Sequence, residues 1–408
     1  MKFIYNLGII FYQLAIRIAA FQNPKAKLRY KGSLQSSFDI KNLNPEEKKI
    51  WFHCASLGEF EQGRPLIEKI KSDSPDIKIV LSFFSPSGYE IRKNYKFADY
   101  IFYLPPDTRK NAIQWIHYIN PMQVFFVKYE FWYWYLYVLK SRKIPVYLVS
   151  GIFRKNQIFF KPWGVFFRKI LKNFEHFFVQ NDESQSLLNK IGFSNATITG
   201  DTRFDRVIQI SEEARKVEIA EQFAKHHLIF VAGSTWKHDE ELIFKFIENS
   251  ADTIKYIIVP HEIHEENINT LVQKSSLPTV RYSQAENADL ENIRVLIIDN
   301  IGMLSSLYSY ADIAYIGGGF GAGIHNTLEA AVYGIPIMFG PKYRKFDEAV
   351  DLIRRNAAVS INNYQKFETI LHRLIIDAEA RKFSGKAALD LVNENAGSTD
   401  KILGFVNK

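Results

Sequence analysis

Cys54 is the only cysteine in the 408 residues, so no disulfide can form within the chain, and a reducing compartment suits it. It stands in the apolar-rich run Trp51–Ala55, which reads as a buried strand thiol rather than a nucleophile. Long apolar runs are also missing. Phe3 to Ile16 gives fourteen uncharged residues before Arg17, short of the roughly 20 a spanning helix needs. Arg17 stands where a signal peptide would carry a small-residue cleavage site. No Gly-x-x-x-x-Gly-Lys-Ser/Thr occurs, which argues against a P-loop NTPase. His261 and His264 flank Glu262, but the spacing is not His-Glu-x-x-His and no third ligand stands nearby. No metal site is therefore expected. Internal repeats and low-complexity tracts are absent as well.

What is present describes an ordinary globular chain long enough for two cores, since single cores stop growing well below this length. Hydrophobic residues make up 47% and charged residues 24%, so disorder is not indicated. The 52 Lys+Arg against 44 Asp+Glu leave a net charge of +8, which suits an anionic partner: nucleic acid, anionic lipid or a phosphorylated substrate. The N-terminal apolar segment is followed by Lys25, Lys27, Arg29 and Lys31. An apolar helix with cations behind it reads as an interfacial anchor (residues 1–22) on an anionic membrane surface. The bland alternative is a buried first helix.

Short apolar runs alternate with helical stretches. Strands are expected at Ile50–Cys54, Ile77–Phe83, Tyr100–Leu104, Met122–Val127, Val146–Val149 and His176–Gln180. Arg64–Lys71 and Thr108–Tyr118 read as helices between them. A second series of strands follows at Leu228–Ala232, Lys255–Val259, Val295–Ile298, Ile313–Ile316 and Pro336–Phe339. Strands alternating with helices predict parallel sheets, hence an α/β chain of two doubly wound, Rossmann-like domains. They divide at residues 23–205 and 206–408, with Ile198–Asp205 as hinge. Both domains are expected to turn their working loops into a central cleft. The last helical segment, Ala387–Lys408, is a candidate to pack back on the first domain.

Four strand-to-helix junctions carry the chemistry. In Ala55-Ser56-Leu57-Gly58-Glu59 the carboxylate of Glu59 is placed to take a proton from a hydroxyl, though Ser56-x-x-Glu59 is also a capping-box pattern. Glu130 ends an apolar strand in an aromatic setting, with Lys128 and Arg203 as possible cationic partners; a solvated loop carboxylate is the alternative. The run Gly317–Glu329 places five glycines in seven residues after a strand and before a helix that Asn326 or Thr327 would cap. So many glycines imply close approach of backbone to something, and a phosphate at a helix N-terminus is the reading favoured. In Ala232-Gly233-Ser234-Thr235-Trp236 small residues free donors for an anion, or simply cap a helix. Two basic-aromatic stretches, Phe125–Lys140 and Phe153–Phe178, suit lipid phosphates and acyl chains, stacked bases, or a core with solvated cations. They share a half with the candidate anchor, so lipid is favoured and no nucleic acid is expected.

Together, Ala-Ser-Leu-Gly-Glu (55–59), Tyr-Glu-Phe-Trp (129–132), Gly-Asp-Thr-Arg-Phe-Asp (200–205), Ala-Gly-Ser-Thr (232–235), His-Asn-Thr-Leu-Glu (325–329) and Phe-Gly-Pro (339–341) resemble the Kdo transferases in content and order. The resemblance implies a GT-B fold, CMP-Kdo as donor, a lipid A precursor as acceptor, inversion at the anomeric carbon, and no cofactor or metal. It implies action at the cytoplasmic face of the inner membrane. It makes Glu59 the catalytic base, with Glu130 and Arg203 supporting the transition state. Donor contacts would fall on Pro260 and His261, on Ile301, Gly302 and Met303, and on Asn326, Thr327, Leu328 and Glu329. Ser234, Thr235, Gly321, Gly323 and His325 join them as candidate donor-binding residues from the two loop motifs.

Three positions depart from the family pattern. Arg203 stands where the family has Lys, Pro260-His261-Glu262-Ile263 where it has Pro-Arg-His-Pro, and Gly302-Met303 where it tends to Gly-Glu. The rival readings are a GT-B transferase using another nucleotide sugar, a sugar-nucleotide epimerase, and a non-enzymatic membrane- or RNA-binding protein.

Overall fold

The structure is a computed structural model that describes residues 1–249 and 254–407. Lys408, the end of the last expected helix, lies outside the described residues. The chain divides into two compact units: residues 1–206 with 396–408, and residues 207–395.

The first unit is built on a seven-stranded parallel sheet: β1 (Lys49–Cys54), β2 (Lys78–Phe83), β3 (Tyr100–Tyr103), β4 (Pro121–Val127), β5 (Val146–Gly151), β6 (His176–Val179) and β7 (Ala196–Ile198). Their spatial order is β3-β2-β1-β4-β5-β6-β7. A parallel sheet covered on both faces needs near-continuous apolar strands, and all six residues of β1 are buried. Alternate side chains feed opposite cores. Trp51 joins Trp115, Tyr135 and Phe126 on one side; Ile50, Phe52 and Cys54 meet Phe60, Leu66 and Ile67 of the helix Leu57–Asp73 on the other. The helix Arg109–Ile119 matches the expected periodicity. It starts where the Thr108 hydroxyl accepts from the Asn111 N–H at 3.2 Å and stops at Asn120 in the left-handed region.

The second unit repeats the plan with β8 (Ile229–Thr235), β9 (Lys255–Pro260), β10 (Thr279–Arg281), β11 (Val295–Ile297), β12 (Ile313–Ile316), β13 (Ile337–Phe339) and β14 (Ala358–Ser360), in the order β10-β11-β9-β8-β12-β13-β14. Three strands escaped the sequence reading: β7, β10 and β14, each only three residues long at a sheet edge. An edge strand of that length carries too little periodicity to stand out.

The basic-aromatic stretch at 153–178 resolves mostly into core. Phe153, Phe159, Phe166, Phe174 and Phe177 are buried together, so they offer no stacking platform. Phe125, likewise, is stacked inside on Phe52 at 4.7 Å.

The N-terminal helix, Lys2–Ala19, has no buried residue. Its half-buried stripe carries Tyr5, Asn6, Ile9, Tyr12, Gln13 and Ile16. Tyr5 donates to Asp107, Asn6 accepts from the Trp134 indole at 2.7 Å, and Tyr12 stacks near Phe84. Burial pushes the Asp107 carboxyl up to about 6, against the hydrogen bonds from Tyr5 and the Trp134 and Tyr135 N–H groups. The outward face carries Phe3, Ile4, Leu7, Ile10, Phe11, Leu14 and Ile18, all exposed. Among the described residues, no helix is long and apolar enough to cross a membrane.

The segment expected as one last helix is two, Ala378–Glu394 and Ser398–Val406, separated at Gly397, whose φ of +86° suits glycine. The second of these packs on the first unit through Ile402 and Leu403. Asp205 ties it down, accepting from the N–H groups of Gly397 and Thr399 and from the Thr399 hydroxyl, each at 2.6 Å. The final aspartate of Gly-Asp-Thr-Arg-Phe-Asp is therefore a cap supplied from a distant part of the chain. Asp205→Ala should cost about 1–3 kcal/mol, the range for stranding buried donors. Urea unfolding would show it as a lower midpoint with faster amide exchange confined to residues 396–407.

Candidate functional site

A doubly wound sheet opens a crevice where the strand order reverses, beyond the carboxyl ends of the strands. In the first unit the reversal falls between β1 and β4, where Cys54 leads into Ser56–Glu59 and Val127 into Lys128–Glu130. Lys128 takes a positive φ of 67°, a sharp turn for a non-glycine residue, as its N–H bonds to Val149 O at 2.9 Å.

Glu130 is buried, at 7% exposure, so it is not a solvated loop carboxylate. His53 and Trp132 hold it from two sides. His53 Nε2 lies 2.9 Å from Glu130 Oε2, and the Trp132 indole donates to the same oxygen at 2.6 Å. The imidazole is set in turn by Ser82. The Trp51 indole donates to Ser82 Oγ at 2.7 Å, and Ser82 Oγ lies 2.9 Å from His53 Nδ1. The Ser82 carbonyl oxygen also lies 3.1 Å from Nδ1, and the Ser82 hydroxyl reaches Phe52 O at 3.4 Å, so Ser82 fixes the ring with Nε2 aimed at Glu130. His53 was missed in the sequence because a histidine inside an apolar strand reads as one more core residue.

Glu59 lies half-buried in the first turn of its helix. The capping box is not formed: Ser56 makes no side-chain cap and instead donates its hydroxyl hydrogen to Glu59 Oε2 at 2.7 Å. The Cys54 thiol reports on both carboxylates. Burial raises it well above the ordinary range, and Glu59 and Glu130 raise it further, so it stays a thiol as its strand setting implied.

Arg203 is paired to Asp201, through Nε at 2.9 Å and Nη2 at 2.8 Å. Burial works against ionising Asp201, but the Arg203 guanidinium, its backbone N–H and Lys128 outweigh it and hold the carboxyl below its usual range. Gln62, one turn beyond Glu59, donates to Asp201 at 3.1 Å. The three residues expected to be catalytic are thus joined in one unit: Glu59 and Glu130 around Cys54, and Arg203 to the Glu59 helix through Asp201 and Gln62.

In the second unit the reversal lies between β8 and β12. Here the strand runs on to Thr235 rather than stopping at Ala232, and Ser234 takes a φ of +54°. The buried carboxylate Asp239 stitches the crevice: it accepts from Gly318 N–H at 2.8 Å, Trp236 N–H at 3.0 Å and the Tyr315 hydroxyl at 2.7 Å. His261, at the end of β9, stacks on Trp236 at 4.4 Å and lies 4.8 Å from His325. The Trp236 indole donates to His325 Nε2 at 3.1 Å. Burial, with His261 beside it, lowers the His325 pKa and keeps the ring neutral.

The glycine loop is explained first by contacts of the chain with itself. A Cβ on Gly317 would stand 2.2 Å from Ser234 O, and one on Gly319 2.6 Å from the Gly340 backbone. Several N–H groups are already spent: Gly317 on Gly233 O, Gly321 and Gly323 on Gly318 O, His325 on Gly317 O. The helix after the loop, Leu328–Ala331, is a single turn, so it supplies little macrodipole. Asn326 Oδ1, rather than the Thr327 side chain, accepts from its first N–H. What remains for an anion is local. Lys342 and Lys345 donate to the loop carbonyls of Gly321 and Ala322, and the buried Thr327 hydroxyl has no partner. Asn326 donates to Glu329 at 2.9 Å. Ile301 is exposed, Gly302 takes a φ of +96°, and Met303 precedes the short helix Leu304–Leu307. Beside Thr235 and Trp236 opens a pocket of about 290 Å³ where Lys237 and Lys274 face Glu240 and Glu262.

Residues 28–206 match the family model described as 3-deoxy-D-manno-octulosonic-acid transferase (kdotransferase). The 3-deoxy-D-manno-octulosonic acid transferase of Rickettsia prowazekii is 28% identical over 419 residues, covering 96% of this chain and 87% of that protein. A bifunctional glycosyltransferase/methyltransferase of Fusobacterium nucleatum is 26% identical over 90% of this chain, which spans 60% of that relative's length. Among solved structures, the UDP-GlcNAc 2-epimerase of Neisseria meningitidis bound to UDP-GlcNAc superposes with a TM-score of 0.58, at 17% identity, over 85% of this chain and 99% of that one. At that identity the likeness concerns the fold alone, which is GT-B.

The glycine geometry gives a paired test. Gly317→Ala forces a Cβ onto the Ser234 carbonyl and should destabilise the chain by about 1–3 kcal/mol. Gly321→Ala, whose Cβ meets nothing nearer than 3.6 Å, should melt within a degree or two of wild type by calorimetry.

Proposed function

We propose a reaction and a set of residue roles for this chain, a glycosyltransferase homologous with the Kdo transferases and moving Kdo in lipopolysaccharide core biosynthesis. The donor is CMP-Kdo, the acceptor is a lipid A precursor, and the transfer inverts the anomeric centre. The observation that carries the assignment of roles is the carboxylate group at the β1/β4 reversal: Glu59 at its rim, and Glu130 buried behind it on His53 and Trp132.

In this reading Glu59 accepts the proton of the acceptor hydroxyl as that oxygen attacks the anomeric carbon. The Ser56 hydroxyl fixes the orientation of the carboxylate. Arg203, anchored on Asp201, offers a fixed positive charge to the transition state with little reorganisation. Arginine keeps the charge that lysine supplies elsewhere in the family, and its Nε and Nη2 converge on one oxygen of Asp201, a contact that lysine cannot make. Glu130 is a positioning group, locked by the Trp51–Ser82–His53 series. CMP leaves as a phosphate monoester. The unpartnered Thr327 hydroxyl and the lysines on the glycine loop supply donors and positive field for it. A monoester carries less charge than a diphosphate, and no metal is invoked.

The N-terminal helix supports action at a membrane. Tyr5, Asn6 and Tyr12 turn toward the protein while most of its apolar residues face out, the reverse of the usual soluble surface helix. We place the enzyme on the cytoplasmic face of the inner membrane, lying in the interface. No role is assigned to nucleic acid.

Transfer from CMP-Kdo to a lipid A precursor in detergent micelles tests the reading. Wild type should transfer with EDTA present, and Glu59→Gln should lose about 10²–10⁴-fold in kcat while its melting curve is unchanged. Glu130→Gln should lose about 10²-fold or more. A folded wild type that transfers nothing from CMP-Kdo sinks the donor assignment. Full activity in Glu59→Gln returns that residue to a structural role.

A further inference from the structure

The two groups that hold Glu130 are themselves held from the end of β2. Ser82, inside that strand, sets His53, which reaches Glu130 from within the sheet. Phe84, the first residue beyond the strand, packs on Trp132, whose indole donates to the same carboxylate oxygen. The Phe84 and Trp132 rings stack at 5.2 Å with 26° between their planes. Phe84 also meets the N-terminal helix, where the Tyr12 ring lies 5.9 Å away at 27°. The Arg29 guanidinium carbon stands 4.5 Å from the Phe84 ring. Aromatic pairs at such distances are directional as well as apolar. Ile9, Tyr12, Phe84, Trp132 and Asp107 surround a cavity of about 10 Å³. That is room for about one water, so no ring among them can shift far by itself.

The same helix grips the far side of the Glu130 loop. The Tyr5 hydroxyl donates to Asp107 and accepts from the Tyr133 N–H at 3.3 Å. Asn6 accepts from the Trp134 indole at 2.7 Å. Asp107 accepts from the N–H groups of Trp134 and Tyr135, which open the helix Tyr133–Ser141. Glu130, Phe131 and Trp132 therefore run between the end of β4 and a helix start that the N-terminal helix pins in place. That helix has no buried residue of its own, so ring and hydroxyl contacts of this kind are what seat it.

We propose that Tyr12 and Phe84 are positioning residues for the transfer. Through Trp132 they set the Glu130 carboxylate, and the N-terminal helix is thereby a working part of the site as well as an anchor. The proposal rests on the role given above to Glu130. It adds that the hold on this carboxylate extends outward, ring by ring, to a helix whose apolar residues face out.

Two measurements on the full chain in detergent micelles test this. An NMR spectrum of protein with isotope-labelled tryptophan shows one indole N–H resonance per side chain, and Trp132→Phe and Trp115→Phe assign the two that matter. Tyr12→Leu and Phe84→Leu each remove one ring at a half-buried position, so both variants should fold. Each should shift the Trp132 resonance and leave that of Trp115, in the core of the first unit, where it stands in wild type. In the transfer assay Phe84→Leu should lower kcat about tenfold or more with the KM for CMP-Kdo unchanged, since a displacement of about 1 Å can cost about 100-fold. Tyr12→Leu should lose about threefold or more. Tyr12→Phe keeps the ring and should restore both the resonance and the rate. The proposal falls if folded Tyr12→Leu and Phe84→Leu keep the wild-type kcat, or if kcat drops while the Trp132 resonance stays in place. It also falls if Trp115 shifts along with Trp132, the mark of general loosening, or if Tyr12→Phe is as impaired as Tyr12→Leu. The resonances are read without donor. A wild type that transferred nothing would sink the donor assignment, whereas an unmoved Trp132 resonance would overturn this proposal alone.

Discussion

Every strand in both sheets runs parallel to its neighbours, and that constraint places everything else. Parallel pairs cannot be joined by tight turns, so a crossover must carry the chain back across a face of the sheet after each strand. Both faces are therefore covered, the strands become apolar throughout, and polar chemistry is expelled to the strand ends. Each sheet reverses its winding once near the middle, between β1 and β4 and between β8 and β12. The loops leaving those strand pairs diverge and open a crevice. Glu59 and Glu130 stand at the first reversal. Ser234, Thr235 and the glycine loop stand at the second.

At each reversal a buried carboxylate stitches together loops that would otherwise be free. Glu130, on the loop after β4, is gripped by His53 from β1 and by Trp132. Asp239, in the helix after β8, takes N–H groups from Trp236 and from Gly318 after β12, and the hydroxyl of Tyr315 within β12. A buried carboxylate left without donors would be expelled or protonated. Provided with them, it holds the neighbouring loops together. Both sites are stiffened by the same device, although their sequences share no motif.

The glycines of the second loop show how a composition signal can be right about cause and wrong about partner. Close backbone approach was legible from five glycines in seven residues. The groups approached by Gly317 and Gly319 are the Ser234 carbonyl and the Gly340 backbone. The loop is rigid because it is packed against its own unit, and the donors left for an anion come from its margins. The N-terminal helix follows a similar logic on a larger scale. Tyr5 and Asn6 meet polar partners inside, and most of the apolar residues face out.

Periodicity alone determined the α/β class, eleven of the fourteen strands and the two-unit plan, because long apolar strands alternating with amphipathic helices have few other ways to bury themselves. Local spacing also located the strand-end motifs, since glycine, serine and carboxylate residues cluster where a chain leaves a parallel sheet. The partner of each buried polar group was settled only by the tertiary structure. Nothing in the sequence paired Glu130 with His53 across 77 positions, Asp205 with Thr399 across 194, or Asp239 with Gly318 across 79. Nor did it reveal that Arg29, one of four cations in a basic run, is the buried one. A pattern along the chain encodes which faces are apolar. Which polar atoms meet depends on the order in which strands are laid side by side, and that order arises only when the sheet closes.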